Sequence, residues 1–148
     1  MDEDSSLFND RGGESQFYLT ATRSAVELTP AGQPDLPVRL KNLGNWFADR
    51  FERTDTLCDT AEAVKVLRQL VKLTPAGHPD LPAMLNKLGT SLSKRFEHTR
   101  AFSDIAESIS VNQRAVELTP AGHPDLPTRL SNLGQLALDS LQAHRSLV

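Results

Sequence analysis

One cysteine, one tryptophan and one tyrosine are spread over 148 residues, and aromatic residues make up only 5% of the chain. The lone Cys58 cannot form an intrachain disulfide, which agrees with a reducing compartment. With so few aromatic rings, the core must be built mainly from Leu, Val, Ile and Ala. There is no run of Lys and Arg, and the net charge is −3, so a phosphate-neutralising nucleic-acid surface has no basis. No apolar stretch approaches the ~18 residues of a membrane span. The first residues, MDEDSSLFND, are acidic and lack the basic start and apolar stretch of a secretion signal. These absences lead to the expectation of a cytoplasmic protein that meets neither membrane nor nucleic acid. The balance of 39% hydrophobic and 24% charged residues fits one soluble domain.

What the chain does have is repetition. LTPAGHPDLP stands at 73–82 and again at 118–127, and LTPAGQPDLP at 28–37, so the copies lie 45 residues apart. A fixed period of this length is the mark of stacked repeat units. Residues 1–13, acidic and then Gly-containing, offer little to bury and are expected to form a disordered tail. The remainder, 14–148, divides into three units: 14–58, 59–103 and 104–148.

Each unit reads as two helices, giving six over about 15–28, 37–53, 58–73, 82–98, 103–118 and 127–143. Pro30, Pro75 and Pro120, with Gly32, Gly77 and Gly122, end one helix. Asp35, Asp80 and Asp125 are placed to cap the next, with Pro37, Pro82 and Pro127 in its first turn. Asp59 and Asp104, each with a Glu three residues on (Glu62 and Glu107), predict capping boxes. Three helices carry equivalent apolar stripes: Leu40, Leu43, Gly44, Phe47, Phe51; Leu85, Leu88, Gly89, Leu92, Phe96; and Leu130, Leu133, Gly134, Ala137, Leu141. A glycine at the same helical position three times predicts close approach of a neighbouring helix, since Gly there costs about 1 kcal/mol against Ala.

AVKVLRQLVKLTP at 63–75 resembles the second helix of a tetratricopeptide (TPR) repeat, and SISVNQRAVELTP at 108–120 is similar with Ser for the first Ala. RLKNLGNWF, MLNKLGTSL and RLSNLGQLA resemble the first helix. The AGHPD leader is similar to the longer repeats of kinesin light chains, and the phrase as a whole to repeats of large fungal proteins that also carry caspase-like (CHAT) or nucleotide-binding domains. The resemblance covers about 14–148 and implies an all-α fold, an α-solenoid of helix-turn-helix units. Tyr18 departs from it, standing where a small residue is expected, as does the C-terminal LDSLQAHRSLV, which replaces the RFERT and RFEHT of the other units.

By register, the resemblance places Lys41, Asn45 and Asp49; Asn86, Thr90 and Lys94; and Ser131, Gln135 and Asp139 on a concave, partner-binding stripe. The bland reading of the same residues is a solvated helix face. Lys41 and Asn45 match the start of the family's carboxylate clamp, but Ser131 and Gln135 stand where its later basic residues belong. Trp46 is expected in the core or at its rim.

No catalytic or metal-binding residues and no cofactor are expected. His78-Pro79-Asp80 and His123-Pro124-Asp125 spell a co-chaperone signature. They recur at the repeat period, however, and Gln33 replaces the His in the first copy, so they read as turn chemistry. Two histidines without a third ligand make a poor zinc site. Cys58, near a helix start, has no partner His or oxyanion element in view. The functional expectation is a non-catalytic scaffold holding a peptide or protein in its groove. The alternative is an array segment that spaces domains or self-associates through its terminal helices, as a piece of a larger multidomain protein.

Overall fold

The computed structural model describes residues 4–148, with side chains from Gln16 onward. It is all-helical: α1 (Asp4–Glu27), α2 (Leu36–Thr54), α3 (Leu57–Leu73), α4 (Leu81–Thr99), α5 (Phe102–Glu117) and α6 (Leu126–Arg145). Five helices lie where their apolar spacing predicts. The first is longer, because its bounds begin at Asp4. The tail expected over 1–13 falls partly on residues 1–3, outside the described residues, and otherwise on residues whose side chains are not described. No described helix is long and apolar enough to cross a membrane.

Turn chemistry sets the ends. Asp35, Asp80 and Asp125 occupy the N-cap positions of α2, α4 and α6, with proline in the first turn. Their carboxylates make no capping hydrogen bond and turn to cations instead: Asp80 to Lys41 at 3.5 Å and Asp125 to Arg129 at 3.4 Å. The histidines of the turn serve the backbone, since the N–H of Asp80 donates to His78 Nδ1 and that of Asp125 to His123 Nδ1, both at 3.1 Å. Thr29, Thr74 and Thr119 close the preceding helices by donating to carbonyls four residues back. Arg39 Nη1 then donates to Thr29 Oγ1 at 2.6 Å and Arg129 Nη1 to Thr119 Oγ1 at 2.5 Å, tying each turn to the helix that follows.

The capping boxes do not form. The N-caps of α3 and α5 are Thr56 and Ala101, and Asp59 and Asp104 lie inside the first turn, buried. A buried carboxylate needs a partner, and each finds an arginine of the preceding helix. Arg95 grips Asp104 with two bonds, at 2.8 and 2.6 Å. That hydrogen bonding pushes the Arg95 guanidinium above its ordinary pKa and outweighs the effect of its burial. Arg50 Nε lies 3.1 Å from Asp59 Oδ2, close enough to pair but out of line for a hydrogen bond. Glu62 and Glu107 reach across helices as well, Glu62 to Arg23 at 3.6 Å and Glu107 to both nitrogens of an Arg68 fork.

The strong packing is between consecutive helices, α1 on α2 through α5 on α6. The main core is shared by α1 to α4, and includes Leu40, Leu43, Phe47, Val64, Leu67, Leu70, Leu88 and Leu92. Two small clusters continue it toward the C-terminus, Leu81–Leu85–Ala115 and Phe96–Ile105–Leu136. The repeated glycine does admit close neighbours. A Cβ on Gly44 would come within 3.1 Å of Leu67, and one on Gly89 within 1.9 Å of Asn112 Nδ2. The third copy breaks the pattern, as Gly134 has nothing within 4 Å of that position.

Candidate functional site

The expected partner-binding residues lie on α2, α4 and α6, one face turn apart on each helix. Between these helices runs a line of clefts floored by α3 and α5. The first, about 170 Å³, is walled by Lys41, Asn45, Asp80, Met84 and Lys87 over Leu67 and Leu70. The second, about 220 Å³, holds Asp49, Glu52, Thr60, Lys87, Thr90 and Lys94. The third, about 270 Å³, holds Thr90, Lys94, Glu97, Asn112, Gln135 and Asp139. Neighbouring clefts share walls, Lys87 between the first two and Thr90 with Lys94 between the next two.

Two expected residues line none of these clefts. Asn86 accepts from Asn132 Nδ2 at 3.5 Å, bridging α4 and α6, and Ser131 is exposed on α6. The remaining groups are partly held by one another. Lys87 Nζ donates to Asn45 Oδ1, Gln135 Nε2 donates to Asp139 Oδ1 at 3.0 Å, and the Lys94 ammonium stands 5.4 Å over the Phe51 ring. Trp46 is half-buried between Tyr18 and Phe47 under the Arg50 guanidinium, and it lines none of these clefts.

The floor contains polar residues that were not among those expected. Thr60 is 1% exposed, faces the second cleft, and its hydroxyl has no hydrogen-bond partner among the described residues. Asn112 is buried under the third cleft, donating to Ser108 O at 2.8 Å, while Ser108 Oγ donates to Gly89 O at 2.7 Å. A signal for them exists in the repeat itself. Thr60 stands where the next unit has Ile105, Asn112 where the previous unit has Leu67, and Ser108 where it has Ala63. Thr60 and Asn112, polar at positions whose register mates are apolar core, open into the clefts, whereas Ser108 lies beneath them and lines none.

Beyond the third cleft, sharing Ser93, Glu97 and Asp139 with it, lies a wider one of about 570 Å³ between the C-terminal ends of α4 and α6. Ala143, which lines it, stands where the preceding unit has His98. There His98 packs edge-on to Phe51, ring centres 5.9 Å apart, and its Nε2 lies 3.2 Å from Asp55. Asp55 in turn becomes Arg100, which stands over Phe96.

Chemically, this line offers amide, hydroxyl and ammonium donors beside carboxylate acceptors, over an apolar floor with isolated polar points. Among the described residues no group of three or more His, Cys, Asp and Glu is placed to hold a metal ion. Cys58 is exposed near the start of α3. No protein-family model matches the chain, and no curated protein or solved structure is significantly similar to it.

Proposed function

We propose that this chain is a TPR-like α-solenoid serving as a non-catalytic scaffold, and that it binds an extended segment of a protein partner along the line of clefts. The observation that carries the reading is continuity. Clefts built from residues one repeat apart share their walls, so a single extended chain can lie across α2, α4 and α6 in turn. Each of the first three is smaller than the ~300–1,000 Å³ of a small-molecule site, which suits successive side chains of a peptide. Asn45, Thr90 and Gln135, equivalent in the three units, supply polar contacts for a peptide backbone. The floors supply pockets that distinguish side chains, and the orphaned Thr60 hydroxyl gives the second a preference for a polar group.

Lys87 and Lys94 face Asp49, Glu52 and Glu97, so the line carries no single-sign field. Recognition then rests on pattern rather than on bulk charge. The test is selection from a random peptide library on immobilised protein, repeated on the double variant Asn45→Arg, Thr90→Arg. Both positions lie outside the buried core, so helicity should be retained. Sequences enriched on the wild type and lost on the variant are the expected result. Equal enrichment on both, or none on either, overturns the reading.

A further inference from the structure

The apolar stripe of α6 is open. Leu85 and Phe96 of α4 are 1% and 2% exposed, whereas their register mates on α6, Leu130 and Leu141, are 49% and 60% exposed. Leu138 is 52% exposed beside them, and Gly134 and Ala137 are exposed between. In the preceding units this stripe is covered by α3 or α5, whereas α6 packs chiefly on α5 and leaves it open among the described helices.

The stripe is symmetric about its own middle. Leu130 pairs with Leu141, Leu133 with Leu138, and Gly134 with Ala137, each pair centred between Gln135 and Leu136. At 100° per residue these six positions form one band about 140° wide. A second α6 laid antiparallel across it, on a two-fold axis through that midpoint, sets leucine against leucine at both ends. Gly134 then meets Ala137 at the centre, where small residues let the backbones approach. None of the six is charged, so the stripe meets its own image without like-charge contact, and antiparallel helices oppose their dipoles favourably.

We infer that α6 is a homodimer interface, with a second copy of this chain as the occupant of its stripe. The inference is independent of peptide binding in the clefts. Head-to-tail stacking on α1 of a second copy is disfavoured by Tyr18. Its register mates are Ala63 and Ser108, and Ser108 sits directly on Gly89. A tyrosine at that place cannot lie close on Gly134. An isologous pair also closes on itself, as most oligomers do.

The contact is short. Two helices touching over ~18 Å bury well under the ~800 Å² per partner of a standard interface, so the dimer is weak and concentration-dependent.

The test is sedimentation equilibrium from about 10 µM to about 1 mM, a range suited to a weak interface of this size. The mass should rise from one chain toward two and stop there. Leu141→Glu, at an exposed position, should keep its helicity and weaken association by about tenfold or more, since the contact would bury a charge. In a Cys58→Ser background, chains carrying Leu130→Cys should form disulfides with chains carrying Leu141→Cys, and neither should do so efficiently with itself. A monomer throughout, growth beyond two chains, unchanged association of Leu141→Glu, or preferential Leu130→Cys self-crosslinking would each overturn the inference.

Discussion

Helices α4 and α6 carry one pattern in two environments. Leu85, Leu88, Gly89, Leu92 and Phe96 of α4 are all buried, between α3 and α5. None of the matching residues of α6, Leu130, Leu133, Gly134, Ala137 and Leu141, is buried, and the buried positions there are Arg129 and Leu136. Matched positions, three of them identical, are core on α4 and are not buried on α6. An apolar stripe states what a helix can bury, and a neighbour decides whether it does. The contrast extends to the ion pairs. Arg95 holds Asp104 with two bonds, while Ser140, the register mate of Arg95, has no such role.

The largest break in this comparison should come from leucine. Leu88→Ala should lower stability by about 2–5 kcal/mol, the cost of a buried cavity. Leu133→Ala, only half-buried, should cost less than about 1 kcal/mol when measured in dilute protein. Urea unfolding of the two variants under one condition reads the difference, and equal losses would show that α6 is covered.

Asp104→Ala should cost about 1–3 kcal/mol, because it strands a charge-assisted donor pair. Asp59→Ala should cost less, its contact with Arg50 being out of line. The ranking of their urea midpoints checks this, and a reversed order would count against the geometry of the two junctions.

The glycines should differ in sign. Gly89→Ala must displace the buried Asn112 amide and should destabilise by about 1–3 kcal/mol. Gly134→Ala meets open space and should stabilise by up to about 1 kcal/mol through helix propensity. Melting temperatures on opposite sides of the wild type are the expected outcome.

The smallest effect belongs to the Arg68–Glu107 pair. Each side chain is at least one-third exposed, so a double-mutant cycle should return a coupling of only about 0.2–1 kcal/mol. Hydrogen bonding to Glu107 raises the Arg68 pKa. That raised value lies above the unfolded one, so the contribution is lost only as pH rises through it, in strong alkali.

Much of the fold was legible because its signals are local. Pro37, Pro82 and Pro127 mark helix starts whatever surrounds them, and the 3.6-residue spacing of Leu85, Leu88 and Leu92 needs no neighbour to be read. The site was legible in part. Asn45, Thr90 and Gln135 line the clefts, since register alone puts them beside the apolar face. Asn86 did not follow, because Asn132 on the neighbouring helix claims its carbonyl oxygen. Asp59 and Asp104 are not caps, although their spacing predicts it. A carboxylate near a helix start can bond its own backbone or an arginine of the previous helix, and only packing brings Arg50 and Arg95 into range.

Six helices, their turns and three matching apolar stripes are written in local residues, because proline, glycine and residue spacing act over one or two helical turns. Which stripe is covered, which cation each aspartate takes, and that Thr60 and Asn112 lie under open clefts follow from how the helices pack. Burial and ion pairing depend on residues from another helix, and the α4 and α6 stripes, though in register, have different neighbours.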